Sequence, residues 1–264
     1  MPSYLRGTAR GLSFCQLLSE AERRSCNDTA LPHLPESQAP SGSLTVTELT
    51  VEGVLGGDPQ LRQLAACLAR VGKCLRCFDI SATAFPASQP QSPAVAELAA
   101  AAACSTALRK LRISDTCYPL DPDGGLTSSE WATALAAAAL RRPGCCITHL
   151  DLSNSHIPDA AAHAIAAAIA GGGGASLRRV TLSFCGLSAE GAVAVLRALQ
   201  TAAPALASVT LDGNPRMCGG WDSARSGGQT DEWALEAEEC CMPVRVLGRQ
   251  HLGVLIARLE SGGS

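Results

Sequence analysis

The sequence predicts an α/β fold: a right-handed solenoid of about six strand–bend–helix units, curved into a horseshoe with parallel strands on the concave side and helices on the convex side. Three observations carry this. An aliphatic pattern recurs six times, a small hydrogen-bonding residue follows it at a fixed distance, and a helix-start signal separates each occurrence from the next.

The pattern reads Val46-x-x-Leu49-x-Val51, Leu75-x-x-Phe78-x-Ile80, Leu108-x-x-Leu111-x-Ile113, Ile147-x-x-Leu150-x-Leu152, Leu177-x-x-Val180-x-Leu182 and Leu206-x-x-Val209-x-Leu211. Its middle anchors stand 29, 33, 39, 30 and 29 residues apart. Three positions beyond the last anchor come Val54, Thr83, Thr116, Ser155, Cys185 and Asn214, five of them able to hydrogen-bond the turning backbone. An apolar residue then returns inward as Phe85, Tyr118, Ile157 or Leu187; Gly56 and Arg216 replace it in the first and last units, as expected where a solenoid meets its caps.

Helices are predicted to start at Asp58-Pro59, Ser92-Pro93, Ser129-Glu130, Pro158-Asp159 and Ser188-Ala189-Glu190. Ile165 and Ile169 recur at helical spacing after Asp159, as do Val193, Leu196 and Leu199 after Ser188. Runs such as Ala160–Ala162 and Ala166–Ala168 let neighbouring helices approach closely. Parallel strands lie about 4.8 Å apart whereas packed helices need about 8–10 Å, so the helical side fans outward and the array bends.

Three segments result. Residues 1–43 are expected to hold an N-terminal helix or cap over 11–24 and a Pro/Ser-rich connector, residues 44–216 the repeats, and residues 217–264 a loop and C-terminal cap. In that cap a short helix is expected near Asp231–Glu239, a strand at Pro243–Leu247, and a final helix carrying Leu252, Leu255, Ile256 and Leu259.

Composition narrows the function. Of 264 residues 47% are apolar and 17% charged, which excludes wholesale disorder, and a net charge of −3 supplies no overall cationic field for a phosphate backbone. No nucleic-acid role and no membrane insertion are expected. Thirteen cysteines without a secretory signal point to reduced thiols. The basic start, with Arg6 and Arg10 ahead of Glu20, has the composition of a mitochondrial transit peptide; an ordinary basic N-terminus is the simpler reading.

The repeat resembles leucine-rich repeats of the ribonuclease-inhibitor type, most clearly in Ile147-Thr-His-Leu-Asp-Leu-Ser-Asn-Ser-His-Ile157 and Leu177-Arg-Arg-Val-Thr-Leu-Ser-Phe-Cys-Gly-Leu187. It covers roughly residues 43–216. The resemblance implies a protein-binding role, with subunits of ciliary complexes, ligand-sensing receptor regions, a ribonuclease inhibitor and a Ran GTPase activator among known members. The activator would imply an Arg at an early bend. The early bends here read Ala82-Thr83-Ala84 and Asp115-Thr116-Cys117, and only Arg216, in the last unit, stands at one.

Residues between the anchors project from the concave face. Those expected to contact a partner are Glu48, Asp79, Lys110, Arg112, His149, Asp151, Arg179 and Thr181, with Arg76, Arg109 and Arg178 at the rim. His149, Asp151 and Ser153 superficially offer a base, an orienter and a nucleophile. Alternate strand residues are about 6.6 Å apart, a poor start for two successive hydrogen bonds, so Arg112 and Thr181 are expected instead as cross-strand neighbours of Asp151.

His149, His156 and His163 fall on a strand, a bend and a helix and cannot converge on a metal. Cys74 and Cys77 lack a second pair at zinc-like distance. Asp121–Glu130 faintly resembles a calcium loop, but its twelfth position is Ala132 in place of a bidentate Glu. That insertion is expected to be a contact loop whose return is anchored by Trp131.

The expectation is therefore a non-catalytic interaction scaffold without cofactor or metal, a cytoplasmic subunit of a hetero-oligomeric ciliary/axonemal or cytoskeletal assembly. The alternatives are a subunit or assembly factor of a mitochondrial complex, and a small-GTPase regulator.

Overall fold

The computed structural model describes residues 3–8, 46–52, 58–81, 92–114, 130–214, 217 and 244–261. Strands β1 (Ser3–Thr8), β2 (Val46–Glu52), β3 (Cys77–Ser81), β4 (Lys110–Ser114), β5 (His149–Asp151), β6 (Arg179–Thr181), β7 (Ser208–Thr210) and β8 (Arg245–Leu247) form one open sheet in sequence order. Helices α1 (Asp58–Val71), α2 (Pro93–Ala103), α3 (Glu130–Arg141), α4 (Asp159–Ala168) and α5 (Ala189–Ala202) each lie between two successive strands, and α6 (Leu252–Glu260) follows β8. The five helix starts fall at the five sequence signals.

Each strand from β1 to β6 pairs in parallel with the next, and the middle anchors sit opposite one another: Leu49 faces Phe78, Phe78 faces Leu111, and so on through Leu150 and Val180 to Val209. These six are at most 1% exposed, and the other twelve anchors are buried with them in a single core against the helices. Burying each such side chain contributes about 1.5–3 kcal/mol. The returning residues Ile157 and Leu187 join that core; Phe85 and Tyr118 lie outside the described residues.

Close helix packing depends on small residues. Ala136, Ala162 and Ala192 are wholly buried in α3, α4 and α5. After α4 a π-helical turn over Ile169–Gly173 ends in the glycine run, where Gly172 has φ +112°. A Cβ on Gly173 would lie 2.6 Å from the Leu140 carbonyl oxygen, and one on Gly174 2.9 Å from that of Ala202, so these glycines allow the connection to pass between its neighbours.

Two differences from the sequence reading concern the ends. Residues 3–8 belong to the sheet, with Leu5 in register with Leu49, so the segment read as a cap contributes an edge strand of its own. The expected helix over 11–24 lies outside the described residues, as do the short helix near 231–239, the 121–129 insertion and Arg216. At the other end β8 runs antiparallel to β7, with Val246 against Val209, and α6, with Leu252 and Ile256 buried, packs on α5. Trp131 is buried in the first turn of α3.

Candidate functional site

Anchors pointing into the helices leave the alternate residues on the open face of the sheet, and the register lines them up in rows. One row reads Glu48, Cys77, Lys110, His149, Arg179 and Ser208; the next reads Thr50, Asp79, Arg112, Asp151, Thr181 and Thr210. All eight residues expected to contact a partner fall in these two rows.

The bends at the far end of the strands hold the rows in place. Ser155 Oγ donates to the Ile113 carbonyl at 3.2 Å, Cys185 Sγ to the Leu152 carbonyl at 3.1 Å, and Asn214 Nδ2 to the Leu182 carbonyl at 2.8 Å. In each case the acceptor is the last anchor of the preceding unit, so one position repeatedly ties a bend to its neighbour. The helix starts do the same: Ser92 Oγ donates to Asp58 at 2.7 Å and Ser188 Oγ to Asp159 at 2.6 Å, while each hydroxyl also accepts from a backbone N–H of its own helix.

Within the second row Arg112 stands between two carboxylates, 3.7 Å from Asp79 and 3.5 Å from Asp151. Burial pushes the Asp79 carboxyl above its ordinary range, opposed by the Arg112 guanidinium. Arg112 is thus a cross-strand neighbour of Asp151, as the sequence predicts, and is committed to Asp79 as well. Its charge is balanced within the face.

The first row behaves differently. Lys110 and Arg179 are exposed and flank His149, and Arg76, Arg109 and Arg178 stand exposed one residue before β3, β4 and β6. Among the described residues no carboxylate lies within ion-pair distance of these five cations. His149 registers the surplus: burial pushes its pKa below the ordinary value, and Arg179, Lys110 and Arg178 push it further down. Burial likewise raises the Cys77 thiol, partly offset by Lys110.

The His149, Asp151 and Ser153 set does not assemble as a relay. Asp151 Oδ1 accepts from Ser153 Oγ at 2.6 Å and from its N–H at 3.0 Å, closing a local turn, while His149 Nδ1 faces Thr148 Oγ1 at 2.8 Å. His149 and His163 lie apart on β5 and α4, and His163 meets Glu190 of α5 at 3.3 Å. No group of three or more His, Cys, Asp or Glu side chains among the described residues is placed to hold a metal ion, and the described cysteines, Cys74 and Cys77 included, are free thiols. Among those residues no helix is long and apolar enough to cross a membrane.

Beside the bends stands a feature absent from the sequence reading. Phe184 has φ +56° and is 57% exposed, its ring lying against Gly213 in the next bend. Asn154 (φ 54°) and Gly213 (φ 66°) hold the same place in the units before and after, so this site of each bend is left-handed and Phe184 is its costly occupant. The signal available was positional: Asn and Gly two beyond the last anchor in adjacent units. No protein-family model and no curated protein matches the chain.

Proposed function

We propose that the chain is a leucine-rich-repeat horseshoe that works without chemistry, as a protein–protein interaction module within a larger assembly. The observation that supports this best is the in-register open face, a charged and polar platform held by repeated bend-to-bend hydrogen bonds. Such a face gives a partner register and on-rate through charge. The wider spacing of helices than strands supports the curvature. A ciliary or cytoskeletal setting follows only from the resemblance of the repeat.

The test places a photo-crosslinking amino acid at Thr181, and separately at Arg258 on the exposed side of α6, in cells expressing the protein. The reading expects a discrete adduct from Thr181 and none from Arg258. Adducts from Arg258 alone would move the contact to the helical side, and none from either position would overturn the reading.

A further inference from the structure

We propose that the partner of this face is an acidic polypeptide segment lying across the N-terminal ends of the strands, with its carboxylates at Lys110, Arg179 and the line Arg76, Arg109 and Arg178. This deepens the reading above and rests on it.

A charge polarity recurs along the array, though not in every unit. In the five connections from helix end to strand start, residues 66–76, 100–110, 138–149, 170–179 and 199–208, there is no Asp or Glu, yet nine Arg and Lys residues. Acidic residues gather at the opposite ends, with Asp58, Asp159 and Glu190 in the first turns of their helices. Helix dipoles account for part of this, since cations favour helix C-termini. Arg70 and Arg141 stand in last turns, and Arg142 donates to the carbonyls of Ser105 and Thr106 at the end of α2.

That explanation does not reach Lys110 and Arg179. They point from the face of the sheet away from the helices, and each lies directly opposite His149 in register. Like charges in facing positions destabilise a sheet, and His149 between them has its pKa lowered first by burial and then by Arg179, Lys110 and Arg178. Arg112, one row away, is given two carboxylates; Lys110 and Arg179 are given none among the described residues. An acidic segment laid on this row would supply the countercharge that the described residues do not.

Three anionic partners are available in principle, and the geometry favours a polypeptide. The nine cations have no Phe, Tyr or Trp beside them in the five connections to stack on bases. Asp79 and Asp151, about 6.6 Å further along the strands, would repel a phosphate chain at its second line of contact. A flat anionic bilayer would have to meet Lys110 and Arg179 on the open face of the sheet as well as Lys73 and Arg141, which stand just after and at the end of helices. A peptide can lie in that row and offer a base to Asp79 or Asp151.

The test measures fluorescence anisotropy of a labelled peptide alternating Glu and Ser, with a single-stranded oligonucleotide and phosphatidylserine vesicles as competing probes. Saturable peptide binding that weakens with salt is expected, and Lys110→Glu with Arg179→Glu should weaken it at least about ten-fold. Arg62→Glu with Arg258→Glu, the same change in net charge on the helical side, should change it less than about two-fold.

Thermal unfolding followed by circular dichroism confirms that each variant folds, and Lys110→Gln with Arg179→Gln provides a milder pair. Equal losses in both double variants, no saturable binding, or a preference for the oligonucleotide or vesicles would overturn the proposal. The Thr181 crosslink separates the two levels: an adduct formed with a non-acidic segment removes the acidic partner and leaves the interaction module standing.

Discussion

Asn214 Nδ2 lies 2.8 Å from the carbonyl oxygen of Leu182, the last anchor of the preceding unit, and 2.8 Å from that of Leu211 in its own. Its Oδ1 accepts from the N–H groups of Cys185 and Leu187 at 2.9 and 3.1 Å. One buried amide therefore satisfies four backbone groups spread over two units, where Cys185 and Ser155 each reach one carbonyl of the unit before, beside a longer bond to Ser183 or Ser153 in their own.

Asn214→Ala leaves those four groups without partners. Each unpaired buried group costs about 1–3 kcal/mol, so a loss of about 3 kcal/mol or more in urea unfolding is expected. Ser155→Ala and Cys185→Ala each remove one upstream bond and should cost about 1 kcal/mol, less for the weakly donating thiol. Equal costs at the three positions would contradict the ladder.

The glycine run gives a contrast over a few residues. Gly171 has nothing within 4 Å of a would-be Cβ and an ordinary φ, whereas Gly174 would meet Ile169 at 2.8 Å and Ala202 at 2.9 Å. Gly171→Ala should leave the melting temperature unchanged or raise it slightly, by up to about 1 kcal/mol of stability. Gly174→Ala should lower stability by about 1–3 kcal/mol.

Phe184 carries the opposite expectation. Replacing it with Asn, the residue that occupies the same left-handed site at position 154, relieves a backbone cost of about 1 kcal/mol while removing an exposed ring. Phe184→Asn should be neutral or stabilising by calorimetry, and a loss above about 1 kcal/mol would show that the ring's contact with Gly213 outweighs the strain.

The pKa of His149 is depressed, so the unfolded chain binds a proton there before the folded one does. Stability contributed by this group is present above its ordinary pKa of 6.5 and falls as pH drops from there toward the folded value. Asp79, shifted upward, acts with the opposite sign in its own window: stability declines as pH rises from 3.8 toward its folded value. Arg179→Gln removes one of the charges on His149 and should move its NMR titration midpoint upward, toward the ordinary value. An unmoved midpoint would contradict the electrostatic cause.

Much of this fold is legible in the chain because its signals are local and periodic. All eighteen anchors are buried, the five helix starts stand where a Ser, Asp or Pro marks them, and Ser155, Cys185 and Asn214 hydrogen-bond across bends as their position implies. Ser3–Thr8 lacks the full anchor pattern, so its place in the sheet comes from pairing with β2, which sequence alone does not display. The direction of β8 is equally silent, because alternation in Val244–Leu247 is the same read either way. On the face, the rows follow from register, but whether Arg112 turns to its flanking carboxylates or stands free is decided by side-chain conformation. That distinction separates a balanced Arg112 from the unbalanced Lys110 and Arg179.

The most direct test of the stacked array is methyl NOE spectroscopy on the protein with labelled Leu and Val side chains. Leu111, Leu150, Val180 and Val209 occupy successive strands at one register position. Cross-peaks should link each to the next and be absent between Leu111 and Val209, which are about 14 Å apart at the usual strand spacing. Missing neighbour peaks, or a peak joining Leu111 to Val209, would contradict the account.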